Sequence, residues 1–263
     1  MSFSIPLIHP NWQVSPKIQA LCTTRIGGVS QAPFASLNPA LHVQDDLQAV
    51  QQNRTLIESF LPAKPLWLSQ QHTTDLLYYS DSINTPAEPV ADAAWTEKAN
   101  QPCVVMTADC MPVLLCDKDG SWVAAVHAGW KGLLNGIIEH SLLQILAAKN
   151  TSIKNVQAWI GPAISQANFE VGAEVREQFV AKHGFAEDYF LVTENTGKYL
   201  ADLNGIAEQI LRNLGVLNVE LSRLCTYTEP ERFYSYRYAC HHSDSPENTG
   251  KTGRLATIIW LQN

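Results

Sequence analysis

The sequence predicts an α/β or α+β fold with mixed β-sheets, and three observations carry that expectation. Short apolar runs rich in β-branched and aromatic residues recur along the chain, each bounded by Gly, Pro, Asp or Asn. Stretches with helical apolar spacing and capping residues separate them. Strands come in runs with helices between, rather than in the strict βαβ alternation of a doubly wound parallel sheet.

The runs at 18–24 (IQALCTT), 66–70, 76–79, 102–108, 112–117, 122–128, 156–161 and 255–261 read as strands. Several are apolar throughout, which predicts strands covered on both faces. Asp45 or Asp46 can cap a helix running to about Phe60, with Pro62 just past its end. Gly132 leads into LLNGIIEHSLLQILAAK, where Leu and Ile recur at helical spacing. Ala173–His183 is helical up to Gly184, and Asp202 caps a helix that Gly215 ends in the left-handed conformation. The polar, proline-bearing stretch 80–100 reads as a long loop or hairpin excursion. Strand-like runs resume directly after it, so one domain over 1–263 is expected.

With 263 residues, 46% of them hydrophobic and 16% charged, the chain can bury a substantial core without disulfides or a structural metal. A net charge of −7 and the lack of any Lys/Arg run argue against a nucleic-acid surface. The opening MSFSIPLIHPNW has neither a basic leader nor a long apolar stretch, and no window reaches the length of a membrane span. A cytoplasmic protein without a membrane partner is expected, with thiols kept reduced. Cys22, Cys103, Cys116, Cys225 and Cys240 then read as structural or loop thiols, and Cys110 stands apart.

Cys110 lies in TADCMPVLLCD, where one apolar strand ends and Pro112 begins the next; His127 closes the strand after that, in WVAAVHAGWKG. Residues at strand ends combine rigid support with solvent access. Three readings of the pair compete. Cys110 and His127 can be zinc ligands with a third elsewhere and an open fourth position. Cys110 can be a thiolate nucleophile activated by His127, with Asp109 or another group orienting the ring. Or Cys110 is a small core residue and His127 a satisfied buried histidine. His72, in LSQQHTT, follows another strand and is a candidate third ligand, against the alternative of a polar loop histidine; His42 is a weaker one.

For anions, Arg25 precedes the turn Gly27–Gly28, and Lys131 lies beside the glycine turn 129–132 that opens a helix. An ordinary turn with a surface arginine accounts equally for the first. Glu170 in NFEVG and Arg237 in FYSYRY are charges among apolar or aromatic neighbours, a placement that is costly unless the charge is paired.

Taken in order, TTRIGGVS, SLN, QQHT, TADCMPVLL, VAAVHAGWKG, IGPAI, FEVG, YSYR and TGR closely resemble the YfiH-like family, also called the laccase-domain or multicopper polyphenol oxidase family. The resemblance runs from about residue 20 to the C-terminus. It implies a mixed α/β sandwich with outer helices and a metal, zinc with copper as the alternative, held by His72, Cys110 and His127. It implies phosphorolysis of adenosine, inosine and methylthioadenosine together with adenosine deamination, so that the partners are a small-molecule nucleoside and phosphate. Asp109 is then the candidate proton shuttle beside Cys110 and His127, while Arg25, Lys131 and the 129–132 backbone hold phosphate, with Arg237 assisting and Glu170 nearby. The alternative is a peptidoglycan-precursor amidase that removes misincorporated serine at the same metal; a metal-binding module without turnover is a third reading. Copper-dependent phenol oxidation ranks last, because eight His with no His-x-His pair do not supply a multicopper cluster. The chain departs from relatives in having Lys131 where Arg is frequent, Tyr238 where a second Arg is frequent, and a longer ACHHSDSPENTGK stretch.

Overall fold

The computed structural model describes residues 5–80, 88–243 and 245–263. Strands Leu7–Ile8, Ile18–Thr23, Leu255–Leu261 and Cys103–Thr107 form an antiparallel four-stranded sheet in that order. A six-stranded sheet runs Asn218–Leu221, Val156–Ile160, Met111–Asp117, Val123–Ala128, Ala93–Thr96, Leu76–Tyr78. It is antiparallel at its centre and parallel at both edges. Phe190–Val192, Lys198–Ala201 and Glu170–Gly172 make a small third sheet.

The period-two geometry of a strand explains why the central runs are apolar throughout. Val123 and Ala125 face the four-stranded sheet and join Leu114, Cys116, Val105 and Ile259 in one core. Ala124 and Val126 face the other way, onto Ile137, Leu142 and Ile145 of helix Ile137–Lys149 and Ile206 and Ile210 of helix Leu203–Leu214. On the outer face of the four-stranded sheet, Val104, Met106 and Ile258 pack on Ile57 of helix Leu47–Glu58. The result is a mixed α/β sandwich, two sheets face to face with helices outside.

Helix ends follow the expected chemistry. The Asp46 carboxylate accepts from the Ala49 N–H and Asp202 from Gly205, while Gly215 ends its helix at φ 103°. The helix expected after Gly132 starts earlier and is two: Trp130–Asn135 and Ile137–Lys149, parted at Gly136, whose φ of 98° suits glycine. LWLSQ (66–70) is not a strand but makes isolated bridges, Leu66 to Cys103 and Ser69 to Val90. The expected 80–100 loop is corrected more seriously. Ala93–Thr96 is a fully buried strand inside the six-stranded sheet, while 81–87 lie outside the described residues. No helix among the described residues is long and apolar enough to cross a membrane.

Candidate metal centre

Three segments meet at one end of the two sheets. His127 is next to last on strand Val123–Ala128, directly opposite Pro112 on Met111–Asp117. Cys110 immediately precedes Met111, and Met111 pairs with Ala128, so the register alone puts the thiol beside the 128–129 backbone. His72 enters from the 69–75 segment at φ 59°, and Asp109 sits at φ 86°. Left-handed backbone at non-glycine residues costs about 1–3 kcal/mol and persists where the surroundings enforce it. Here both instances flank the same site.

One Nε2 or Nδ1 from each imidazole and the Cys110 Sγ all lie within 4.8 Å of one another, and His72 Nε2 is 3.7 Å from the Cys110 Sγ. Bonds of about 2.0 Å to nitrogen and 2.3 Å to sulfur in a tetrahedron place donors roughly 3.3–3.8 Å apart. The donor set therefore fits a single zinc or copper ion, soft thiolate and borderline imidazoles suiting either. Among the described residues this is the one such convergence of His, Cys, Asp or Glu donors.

What holds the ligands is a residue that the sequence reading passes over, Asp92. Its carboxylate is buried. Oδ1 accepts from the His72 backbone N–H (3.0 Å) and from His127 Nδ1 (2.8 Å). Oδ2 accepts from the N–H groups of Gln71 (3.1 Å) and Thr73 (2.7 Å) and from the Thr73 hydroxyl (2.8 Å). Its backbone carbonyl accepts the His127 N–H at 2.7 Å. Burial alone would raise the Asp92 pKa, but the bonds from His127 and Thr73 outweigh it and hold the group down to about 2. An ionised carboxylate only accepts, so it keeps a proton on His127 Nδ1 and makes Nε2 the nitrogen that ligates once a metal displaces the second proton. The signal for Asp92 was present in PVADAAWT: a lone charge among apolar residues, the same pattern that singles out Glu170 and Arg237.

Cys110 and His127 also act on each other. Burial would raise the thiol pKa and lower that of the imidazole, yet their mutual attraction reverses both directions. The thiol is biased toward thiolate, the form that binds metal. Gly129 is required by crowding, since a Cβ there would lie 2.6 Å from His72 Cδ2 and 2.9 Å from the Cys110 Sγ.

The ligands line a cleft of about 560 Å³, within the range of small-molecule sites. Its walls are largely apolar, with Met106, Trp130, Ile164, Phe169 and Leu203, and its polar groups include Arg237, Arg254, Glu170 and Glu174. The expected residues divide accordingly. Asp109 lines the cleft, but Thr226 Oγ1 donates to its Oδ1 and the Arg237 N–H to its Oδ2, both at 2.7 Å, so it anchors two loops as well. Glu170 and Arg237 meet there: Arg237 Nη1 donates to the Glu170 carbonyl (3.0 Å), its guanidinium lies over the Phe169 ring, and Asn195 donates to Glu170 Oε2. His42 lines the cleft without joining the ligands.

Arg25 and Lys131 do not reach the cleft. The Arg25 guanidinium donates to the carbonyls of Ala35 (2.8 Å) and Pro230 (2.7 Å) and lies over Tyr234, where it braces loops. Lys131 is exposed, its ammonium over the Trp130 ring. Arg254, from the TGR segment, is the cleft cation that individual motifs did not single out.

The model of the multi-copper polyphenol oxidoreductase laccase family matches residues 19–262. The chain belongs to this family. Laccase-family relatives include a purine nucleoside phosphorylase of Pseudomonas aeruginosa, 39% identical over 97% of this chain and 98% of its own. Purine nucleoside phosphorylase YfiH of Escherichia coli K12 is 41% identical with the same coverage. Among solved structures, Neisseria meningitidis protein NMB0706 is 37% identical and superposes with a TM-score of 0.87 over 98% of this chain and 99% of that one.

Proposed function

We propose that the cleft carries out phosphorolysis of purine nucleosides (adenosine, inosine and methylthioadenosine), with deamination of adenosine at the same centre, and that the metal is zinc. The observation that carries this reading is the convergence of His72, Cys110 and His127 on the wall of an apolar, nucleoside-sized cleft that also presents guanidinium groups. The names of the laccase-family relatives support the reaction class.

Zinc held by His72, Cys110 and His127 supplies Lewis acidity and fixed positive charge when bound. The chain's residues supply the rest. Asp92 holds the His127 tautomer and the 71–73 turn. Phe169, Trp130 and Leu203 offer apolar surfaces for a purine and exclude water. Arg237 presents a guanidinium on the cleft wall, where it can donate to polar groups of the bound nucleoside. Asp109, on the cleft beside Cys110, is the proton carrier for deamination, and the Thr226 hydroxyl and Arg237 N–H fix its orientation.

Purified zinc-loaded chain should be offered adenosine with and without phosphate, and products separated by chromatography. Phosphate-dependent ribose 1-phosphate and phosphate-independent inosine are expected, both lost in Cys110→Ser. Cleavage of a muramyl-serine amide, or copper-dependent phenol oxidation, without nucleoside turnover would overturn the proposal.

A further inference from the structure

Beside His42 and Arg254 the cleft abuts a second, polar recess of about 290 Å³, between the 42–44 turn and the 249–252 loop. Arg254 lines both spaces. Its Nη1 donates to the carbonyls of Thr252 (3.0 Å) and Gly253 (3.1 Å), which fixes the guanidinium without neutralising it. Among the described residues neither Arg254 nor Lys251 forms an ion pair, and no carboxylate lines the recess. The field is felt nearby: partial burial, then the charges of Arg254 and Arg54, push His42 down to about 4. Lys251 and Arg254 both line a recess whose own wall holds no carboxylate, the carboxylate felt by Arg254 being Asp109 on the cleft side, and a wall of that kind, with a planar fork in it, favours a compact oxyanion.

We propose that this recess is a phosphate subsite, in which Lys251 and Arg254 hold a phosphate dianion against the cleft that takes the nucleoside. The role within a reaction rests on the phosphorylase reading above. Position supports it, since Arg254 is the cation common to the recess and to the cleft that contains the metal ligands, with His42 the other residue lining both. It also gives a use to the long ACHHSDSPENTGK stretch, which supplies Thr249, Gly250 and Lys251 to the recess wall. Arg25 and Lys131, the cations that motif reading favours, lie elsewhere. The same chemistry would accept free phosphate or the 5′-phosphate of a nucleotide, and the test separates them.

Binding of inorganic phosphate and of adenosine 5′-monophosphate to the full chain should be measured by phosphorus NMR line broadening, without turnover. Lys251→Glu should weaken inorganic phosphate at least roughly tenfold, as expected for loss of a charge-assisted contact. Arg254→Lys, which keeps the charge but loses the fork, should weaken it less, and Lys154→Glu, an equal charge change on the exposed surface, should leave it unchanged. In parallel, the KM for phosphate should rise in Lys251→Glu while the KM for inosine holds. If only the nucleotide is weakened, the subsite stands and its ligand is a phosphorylated nucleoside. Unchanged binding of both ligands in Lys251→Glu and Arg254→Lys overturns the subsite. Variant-sensitive phosphate binding in a chain that turns over no nucleoside keeps the subsite and removes the phosphorylase reading. Phosphate-dependent turnover with an unaltered phosphate KM in Lys251→Glu does the reverse.

Discussion

Replacing Asp92 by Asn tests the architecture of the centre with the smallest possible change of shape. The carboxylate accepts five hydrogen bonds, three at Oδ2 and two at Oδ1. An asparagine keeps one oxygen, and the three donors from Gln71 and Thr73 select the Oδ2 position for it. The new NH2 group then faces His127 Nδ1 and the His72 N–H. To accept from the amide, the imidazole must move its proton to Nε2, the atom a metal needs. Metal binding must undo that arrangement at the cost of about one charge-assisted hydrogen bond, roughly 1.5–3 kcal/mol. At about 1.4 kcal/mol per decade this is a loss of roughly 10–100-fold in affinity, the range seen when the partner of a ligating histidine is removed. The assay is zinc titration of metal-stripped protein in competition with a chromophoric chelator, with near-ultraviolet circular dichroism to verify that the variant is folded. A folded Asp92→Asn variant that binds zinc as tightly as the parent would refute the argument that Asp92 sets the ligand tautomer.

Four further outcomes follow from the same geometry. Gly129→Ala should abolish metal binding, because its Cβ would overlap His72 Cδ2 and the Cys110 Sγ, whereas Gly132→Ala, with 3.5 Å to its nearest neighbours, should bind metal normally; the same titration distinguishes them. In metal-free protein the Cys110 thiolate should form with a midpoint of about 6, because the His127 charge and the bonds from His127 and His72 outweigh the burial that would raise it. Its alkylation rate should therefore be near its plateau at neutral pH, fall as pH drops through that midpoint, and shift to higher pH in His127→Gln. Arg25→Ala should lower the melting temperature, since two half-buried charge-assisted bonds to carbonyls, worth up to about 1.5–3 kcal/mol each, are lost, while the KM for nucleoside stays unchanged. Arg237→Ala should reduce kcat/KM by at least roughly tenfold, with a smaller change in melting temperature than Arg25→Ala.

The sequence made the layers legible because strand burial on both faces leaves a direct trace. Runs such as VAAVHA and LATIIWL have no polar face, and the structure accounts for both sides of each. Capping chemistry located Asp46, Asp202 and Gly215 for an equally local reason. The failures are non-local. AAWT is too short to register as a strand, and its burial comes from neighbours far away in sequence. Glu170–Gly172 and Lys198–Ala201 are half-exposed pairs whose strand character depends on each other. Arg25 shows the converse error. A guanidinium beside two glycines looks like an anion site until the carbonyls of Ala35 and Pro230, the latter 205 residues away, are seen to occupy it.

The missing strand and the overlooked ligand support are one fact. Asp92 precedes Ala93 because the strand must end where its carboxylate can turn back to the 71–73 backbone, and Ala93 pairs with Val126, which fixes Asp92 beside His127. Asp92 thus joins the His72 segment to the His127 strand, and the register of Met111 with Ala128 brings in Cys110. Ligand geometry in this centre is consequently a property of sheet register. A slip of one residue in the Ala93–Thr96 pairing would turn its side chains to the opposite face and remove the carboxylate from both histidines. Substitutions that loosen that strand at positions that do not line the cleft, such as Ala94→Gly, should therefore weaken metal binding along with thermal stability. A surface change of equal thermal cost should leave binding intact. Comparing zinc affinity between two such variants matched in melting temperature decides the matter, and equal affinities would show that the centre forms independently of the sheet.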